Sequence, residues 1–115
     1  TKFMASNAAA SSDYGRSVAI DEQGQITMVG ANKHASSIGE VYVYKRTGAS
    51  WSSSTEQKKL ISLTSDTSSG TPQFGDAIAL SRGGGTAVVG APSVLASGAG
   101  SAGGIYIFTG TRTYT

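Results

Sequence analysis

Tyr14-Gly15-Arg16-Ser17-Val18-Ala19-Ile20 decides the fold of this chain, because Phe74-Gly75-Asp76-Ala77-Ile78-Ala79-Leu80 repeats its pattern 60 residues later. Each copy is an aromatic–glycine pair followed by a short run of alanine, β-branched and aliphatic residues. Such runs favour β-strands over helices. Self-similarity at a fixed spacing is the sequence signature of repeat architectures. The chain is therefore predicted to contain two copies of a structural unit that begins with a strand.

Two further strands follow in each copy. Residues 26–32 match residues 86–92 at the same offset, and residues 39–44 match residues 103–108 after an adjustment of four positions. The first two strands of each copy are joined by glycine-containing segments, which predict hairpin loops. Longer stretches rich in Ser, Ala and Gly then lead to the third strand and predict surface loops.

A fourth strand is predicted at residues 56–62 of the first copy. Its counterpart in the second copy is divided between the two ends of the chain: residues 1–6 resemble 58–63, and residues 110–114 resemble 48–51. We therefore expect residues 1–115 to form a single module. Its first repeat covers about 14–62, and its second covers about 74–110, with the fourth strand split between 111–115 and 1–6.

The third strand of each copy is apolar on both faces. Val41-Tyr42-Val43-Tyr44 and Ile105-Tyr106-Ile107-Phe108 show no alternation of apolar and polar residues, and such strands need a cover on each side. A blade of a β-propeller lies between two neighbouring sheets and satisfies this requirement. A β-sandwich with several fully buried strands is the alternative.

The repeated motif resembles the FG-GAP repeat of integrin-α-type β-propellers. Its residues are Tyr14-Gly15 with Gly30-Ala31-Asn32, and Phe74-Gly75 with Gly90-Ala91-Pro92. The first copy departs from the pattern by carrying Tyr14 for Phe and Asn32 for Pro. The resemblance implies β-propeller blades, so the predicted fold is all-β, with two four-stranded antiparallel blades. Because two blades are too few to close a ring, we expect them to be completed by strand exchange with other copies or by a longer chain.

Many proteins with this repeat bind calcium through an Asp-rich hairpin between the first two strands. Calcium needs several oxygen ligands around it, yet the first hairpin offers only Asp21 and Glu22, and the second offers no carboxylate. We therefore expect no calcium site, and no other metal or cofactor.

Composition argues against several other functions. The net charge of +2 carries no basic cluster for a nucleic-acid backbone. No apolar stretch approaches the roughly 20 residues of a membrane-spanning helix. Cysteine is absent, and His34, the single histidine, is expected to be a solvated loop residue. Because no catalytic constellation is visible, the chain is predicted not to be an enzyme.

Two blades cannot close a propeller ring of about four to eight blades. The leading hypothesis is an extracellular or cell-surface structural or adhesion module. It would assemble with other copies of itself into a ring or filament by donating a strand. The predicted interface comprises Lys2, Phe3 and Met4 in the donated edge, Tyr106 and Phe108 in the acceptor blade, and Thr113 and Tyr114 at the start of the shared strand.

A second hypothesis is an excerpt of an integrin-like surface receptor that binds a protein or glycan ligand through loops 32–38 and 92–102. An enzyme with its site on a propeller face is a third, for which no residues are apparent. The hydroxyl-rich runs 52–55 and 65–71 are also candidate O-glycan acceptors.

Overall fold

The structure is a computed structural model that describes residues 1–46, 48–51, 56–62, 67, 70–96 and 100–109. The two helical elements whose bounds lie within these ranges are single turns. None of those in the described ranges has the length and apolar character to cross a membrane. In chain order the elements are β1 (Tyr14–Ile20), β2 (Ile26–Ala31), α1 (His34–Ser37), β3 (Glu40–Lys45), β4 (Lys58–Leu60), β5 (Ala77–Leu80), a 3₁₀ turn (Arg82–Gly84), β6 (Thr86–Ala91), β7 (Leu95–Ala96), β8 (Gly100–Ser101) and β9 (Gly104–Thr109).

Apart from the short β7–β8 pair, the strands form two antiparallel sheets with the same internal order. The first sheet runs β1-β2-β3-β4, and the second runs β5-β6-β9. The predicted all-β fold is therefore confirmed, and the predicted fourth strand of the first copy is present as β4. The second sheet has three strands among the described residues. Segment 111–115 of its predicted fourth strand, with Thr113 and Tyr114, lies outside them.

The two predicted hairpin loops close in the same way although their sequences differ. Asp21 N–H donates to the Ile26 carbonyl at 3.0 Å, and Ser81 N–H donates to the Thr86 carbonyl at 2.9 Å. In return, the Asp21 carboxylate accepts from Ile26 N–H, and the Ser81 hydroxyl accepts from Thr86 N–H. A carboxylate and a hydroxyl thus perform one task, which explains why the second loop needs no acid.

Both longer loops contain short elements that the sequence pattern did not predict. Residues 34–37 form the single turn α1, in which Ala35 and Ser36 have positive φ angles of 53° and 58°. Residues 95–101 contain the two-residue strands β7 and β8, paired with each other. Left-handed turns of non-glycine residues are uncommon, and two-residue strands are too short to show a hydrophobic period.

The main core lies between the two sheets. The inner face of the first sheet packs against the inner face of the second, and Phe74 is fully buried between them. Its ring meets the rings of Tyr106 and Phe108 edge-on, with centroid distances of 5.2 and 6.0 Å. The buried members of this cluster are Ile26, Met28, Val41, Val43, Leu60, Phe74, Ala87, Val89 and Ala91.

Backbone meets backbone where the two sheets cross. A Cβ atom built on Gly30 would lie 2.1 Å from the carbonyl oxygen of Gly75. The same carbonyl accepts a hydrogen bond of 2.7 Å from the Ser17 hydroxyl. Gly30 is therefore required because any side chain there would separate the sheets.

Replacing Gly30 with alanine is expected to destabilise the fold by about 1–3 kcal/mol or more, because the added methyl group forces the two sheets apart. The measurement is the free energy of unfolding in urea. Gly104→Ala is the matched control, since a Cβ there meets only the Val94 side chain, at 3.7 Å. Equal stability of the two variants would contradict the close contact at Gly30.

Candidate assembly surfaces

The second sheet exposes an apolar face to solvent. The strand register places on this side, which we call the free face, the residues Ala77, Ala79, Thr86, Val88, Gly90, Ile105 and Ile107. Ile105 and Ile107 are 66% and 61% exposed. Their repeat equivalents Val41 and Val43 are almost fully buried against the second sheet. The free face therefore has the character of a core surface, but no described part of the chain covers it.

The first sheet carries the matching surface on its outer side. This tyrosine face, as we call it, contains Val18, Ile20, Thr27, Val29, Ala31, Tyr42 and Tyr44. Its repeat equivalents on the second sheet, such as Ile78, Val89 and Phe108, pack into the core between the sheets. Tyr42 and Tyr44 are covered, whereas Val18 and Ile20 are 66% and 57% exposed.

The N-terminal residues provide the partial cover of the tyrosine face. The Phe3 ring packs on the Tyr44 ring with a centroid distance of 4.8 Å and meets Trp51 at 6.0 Å. Ala5 is buried in the same cluster. The Tyr42 hydroxyl donates to Asn7 Oδ1 at 2.8 Å. This segment contains no strand in the single chain, yet side-chain packing and a hydrogen bond hold it in one place.

The predicted interface residues that the structure describes occupy two different places. Lys2, Phe3 and Met4 lie beside the first sheet, and Met4 is 57% exposed. Tyr106 and Phe108 lie on the inner side of the second sheet, where their rings stack with a centroid distance of 6.4 Å. The outward-facing neighbours Ile105 and Ile107 were not singled out from the sequence. Their equivalence to Val41 and Val43 was the signal that could have identified them.

His34 is not the solvated loop residue that the sequence suggested. Its side chain is 14% exposed, and its Nε2 atom lies 3.7 Å from Glu40 Oε2. Asn7 Nδ2 lies 3.3 Å from His34 Nε2 and 3.3 Å from Glu40 Oε2, so the N-terminal segment also packs here. The expectation was wrong because α1 turns the ring back onto β3, which loop composition does not reveal.

The first hairpin uses its acid for folding. The Asp21 carboxylate accepts hydrogen bonds from the backbone N–H groups of Gln25 and Ile26, at 2.7 and 3.0 Å, and the residue is 4% exposed. Glu22 pairs instead with Arg82 of the second hairpin. The ranges that the structure describes contain no group of three or more metal-binding side chains.

The tyrosine face holds its hydroxyl groups in the un-ionised form. Tyr14 and Tyr44 share a hydrogen bond of 2.6 Å between their hydroxyl oxygens. Burial raises the pKa of Tyr44 well above its usual range, and the hydrogen bond with Tyr14 raises it further. Burial likewise raises the pKa of Tyr42, and the nearby Glu40 carboxylate adds to the effect. These hydroxyl groups therefore stay protonated above the pH of about 10 at which free tyrosines ionise.

A known protein family matches the part of the chain that forms the tyrosine face. The model of the FG-GAP repeat matches residues 1–44, which include the N-terminal segment, β1, β2 and most of β3. The resemblance to this repeat is thus confirmed for the first copy. Because the FG-GAP repeat suggests an integrin-like β-propeller module, the match favours the blade interpretation over the sandwich. No curated protein matches the chain.

The raised tyrosine pKa values predict how stability depends on pH. In the unfolded chain these tyrosines ionise near pH 10, whereas the folded chain holds them neutral. The contribution of these neutral tyrosines to the free energy of unfolding is therefore fully present below about pH 10 and is lost as pH rises above that value. Urea unfolding at neutral pH and at about pH 11 measures the loss.

Tyr44→Phe is the control for this prediction, because it removes one of the titrating groups while keeping its ring. Its stability should fall less steeply with pH than that of the unmodified chain. An unmodified chain whose stability stays constant across this range would contradict the raised pKa values.

Proposed function

We propose that this chain, whose first 44 residues match the FG-GAP repeat, is a non-enzymatic structural or adhesion module that assembles with copies of itself by strand exchange. The observation that carries this proposal is the incomplete second sheet. It has three strands among the described residues, against four in the first sheet, and its apolar free face is exposed. An uncovered apolar face beside a strand edge favours addition of a further strand and a further sheet.

The position of the N-terminal segment supports it as the missing strand. In the first sheet, β4 pairs with β3 so that Leu60 lies opposite Val41 and Lys58 opposite Val43. Thr1 and Phe3 occupy the repeat positions of Lys58 and Leu60. The same pairing in a neighbouring copy would place Phe3 opposite Ile105 and Thr1 opposite Ile107.

The donated segment would not have to leave its present site. Leu60 belongs to the core cluster against which Phe108 packs, and Phe3 packs on Tyr44, the repeat equivalent of Phe108. Phe3 therefore already contacts the first sheet as Leu60 contacts the second sheet. A neighbouring second sheet that docked beside it would gain its fourth strand without rearrangement of this chain.

The remaining features agree with a structural role. The short polar clusters of the described residues serve folding: Asp21 closes a hairpin, and Asn7, His34 and Glu40 anchor the N-terminal segment. We propose an extracellular or cell-surface location, which is typical of proteins with FG-GAP repeats, and no cofactor. Assembly would produce a ring or a filament, because a head-to-tail contact either closes or propagates.

An excerpt of an integrin-like receptor remains the second candidate, because further repeats of the same polypeptide would cover the same two faces. Such a receptor would bind a protein or glycan through the loops that contain α1 and the β7–β8 pair. The native mass of the 115-residue chain separates the two functions. Particles with several copies support self-assembly, whereas a folded monomer supports the receptor excerpt.

The strand register can be tested with a pair of cysteines, since the chain has none of its own. Thr1→Cys combined with Ile107→Cys is expected to give disulfide-linked multimers on a non-reducing gel. Opposed residues of antiparallel strands lie about 4.5–5.5 Å apart at Cα, within disulfide range. Both positions are exposed, so neither substitution disturbs the core.

Thr1→Cys with Ala79→Cys is the matched control. Ala79 is exposed in the same row of the free face, but it lies on β5, at the far edge of the sheet. Cross-linking should be absent there because strands are about 4.8 Å apart and two strands intervene. Monomers with both cysteine pairs would refute strand donation. Deleting residues 1–6 should also abolish assembly, as measured by light scattering.

A further inference from the structure

The internal contact between the two sheets depends on a pair of glycines. Gly30 leaves no room for a side chain beside the Gly75 carbonyl. Gly75 has φ +94°, and a Cβ built on it would lie 2.9 Å from the Glu40 carbonyl oxygen. Each glycine is therefore explained by the close approach of the other sheet.

Their repeat equivalents, Gly90 and Gly15, meet no such close approach from the described part of the chain. A Cβ on Gly90 would meet nothing nearer than the Ala77 Cβ at 3.6 Å, which is ordinary contact. A Cβ on Gly15 would meet nothing within 4 Å, so the φ of +96° is what favours glycine there. Glycine in the interior of a strand weakens it and often marks a place where another backbone approaches closely. Gly90 lies in the middle of the free face.

We infer that the free face is a docking surface for the tyrosine face of a second copy, with Gly90 of one chain against Gly15 of the next. The inference rests on the proposed function and specifies its contact. The proposed contact between copies repeats the contact inside the chain, in which Gly30 of the first sheet meets Gly75 beside the second sheet. The two glycines lie on different sheets, so the contact is head-to-tail and each chain has one surface of each kind.

The charged residues that follow Gly15 and Gly75 are complementary to those of a second copy. Arg16 and Asp76 are repeat equivalents of opposite charge, and Arg16 Nε donates to Asp76 Oδ1 at 3.2 Å inside the chain. The next step of the repeat brings Asp76 of one copy towards Arg16 of the next copy, so that positive and negative groups alternate along the assembly. Such exposed pairs contribute little affinity, but they select orientation and register.

One internal bond has no counterpart in the proposed contact. The Ser17 hydroxyl donates to the Gly75 carbonyl inside the chain, whereas the equivalent of Ser17 is Ala77, which has no hydroxyl. The contact between copies is therefore expected to be weaker than the contact between the two sheets of one chain. Assembly should depend on protein concentration, and single chains should be measurable at high dilution.

Gly90→Ala tests the docking surface directly. The added methyl group fits within a single chain, so the variant should fold with the stability of the unmodified chain at high dilution. In the assembly it would project into the backbone of the neighbour, and the dissociation constant should rise at least 100-fold. Sedimentation velocity across a range of concentrations measures this change.

Gly104→Ala is the control, since it makes the same change on the same sheet. The repeat equivalent of Gly104 is Glu40, whose side chain lies on the other side of its sheet, against Asn7 and His34. The control should assemble like the unmodified chain. A Gly90→Ala chain that assembles equally well would overturn the docking surface and leave the proposed function standing. An unmodified chain that stays monomeric would overturn both.

Mixing the two proteins tests the head-to-tail arrangement. A Gly90→Ala chain keeps an intact Gly15 surface, so it can bind the end of a growing assembly but cannot accept the next copy. Small amounts of the variant should therefore shorten assemblies of the unmodified chain. An unchanged length distribution, with the variant excluded, would contradict a contact between Gly90 and Gly15.

Discussion

The close approach of Gly30 and Gly75 is the contact on which the rest of the structure depends. It brings the first sheet against the second at backbone distance, so that small and medium side chains on β2, β3 and β6 fill the space between them. A side chain at either position would widen the gap and leave Met28 and Phe74 without full contact. The aromatic–glycine motif thus works as a packing element: its aromatic ring fills the core, and its glycine sets the separation of the sheets.

The third strand of each repeat needs apolar cover on both faces, but the two sheets differ in how much cover they receive. Val41 and Val43 are buried because the second sheet lies over them, whereas Ile105 and Ile107, at the equivalent positions, face solvent. Nothing in the local sequence separates these cases, since both strands are apolar on both faces. The single chain therefore contains one complete contact between sheets. It also contains the free face and the tyrosine face, the two surfaces that would form another such contact.

The N-terminal segment joins the fold of the chain to its proposed assembly. Phe3 covers Tyr44 in the single chain, and Asn7 links this segment to Tyr42 and to Glu40. These contacts keep the segment in place before any neighbour arrives. A strand that is already positioned loses less conformational entropy on pairing than a free one would lose. Partial cover of the tyrosine face and readiness for donation thus arise from the same interactions.

The sequence by itself determined the repeat, the order of its strands and the hairpin loops, because hydrophobic runs and turn glycines are local signals. It also pointed to the FG-GAP resemblance through Tyr14-Gly15 and Gly30-Ala31. Only the tertiary structure decided which faces are covered, where residues 1–6 lie and why the His34 side chain is largely covered. These outcomes depend on which sheet packs on which face, and residues distant in sequence set that arrangement. Gly30 and Gly90 look alike in the sequence, and only the stacked sheets show that one of them has a neighbour.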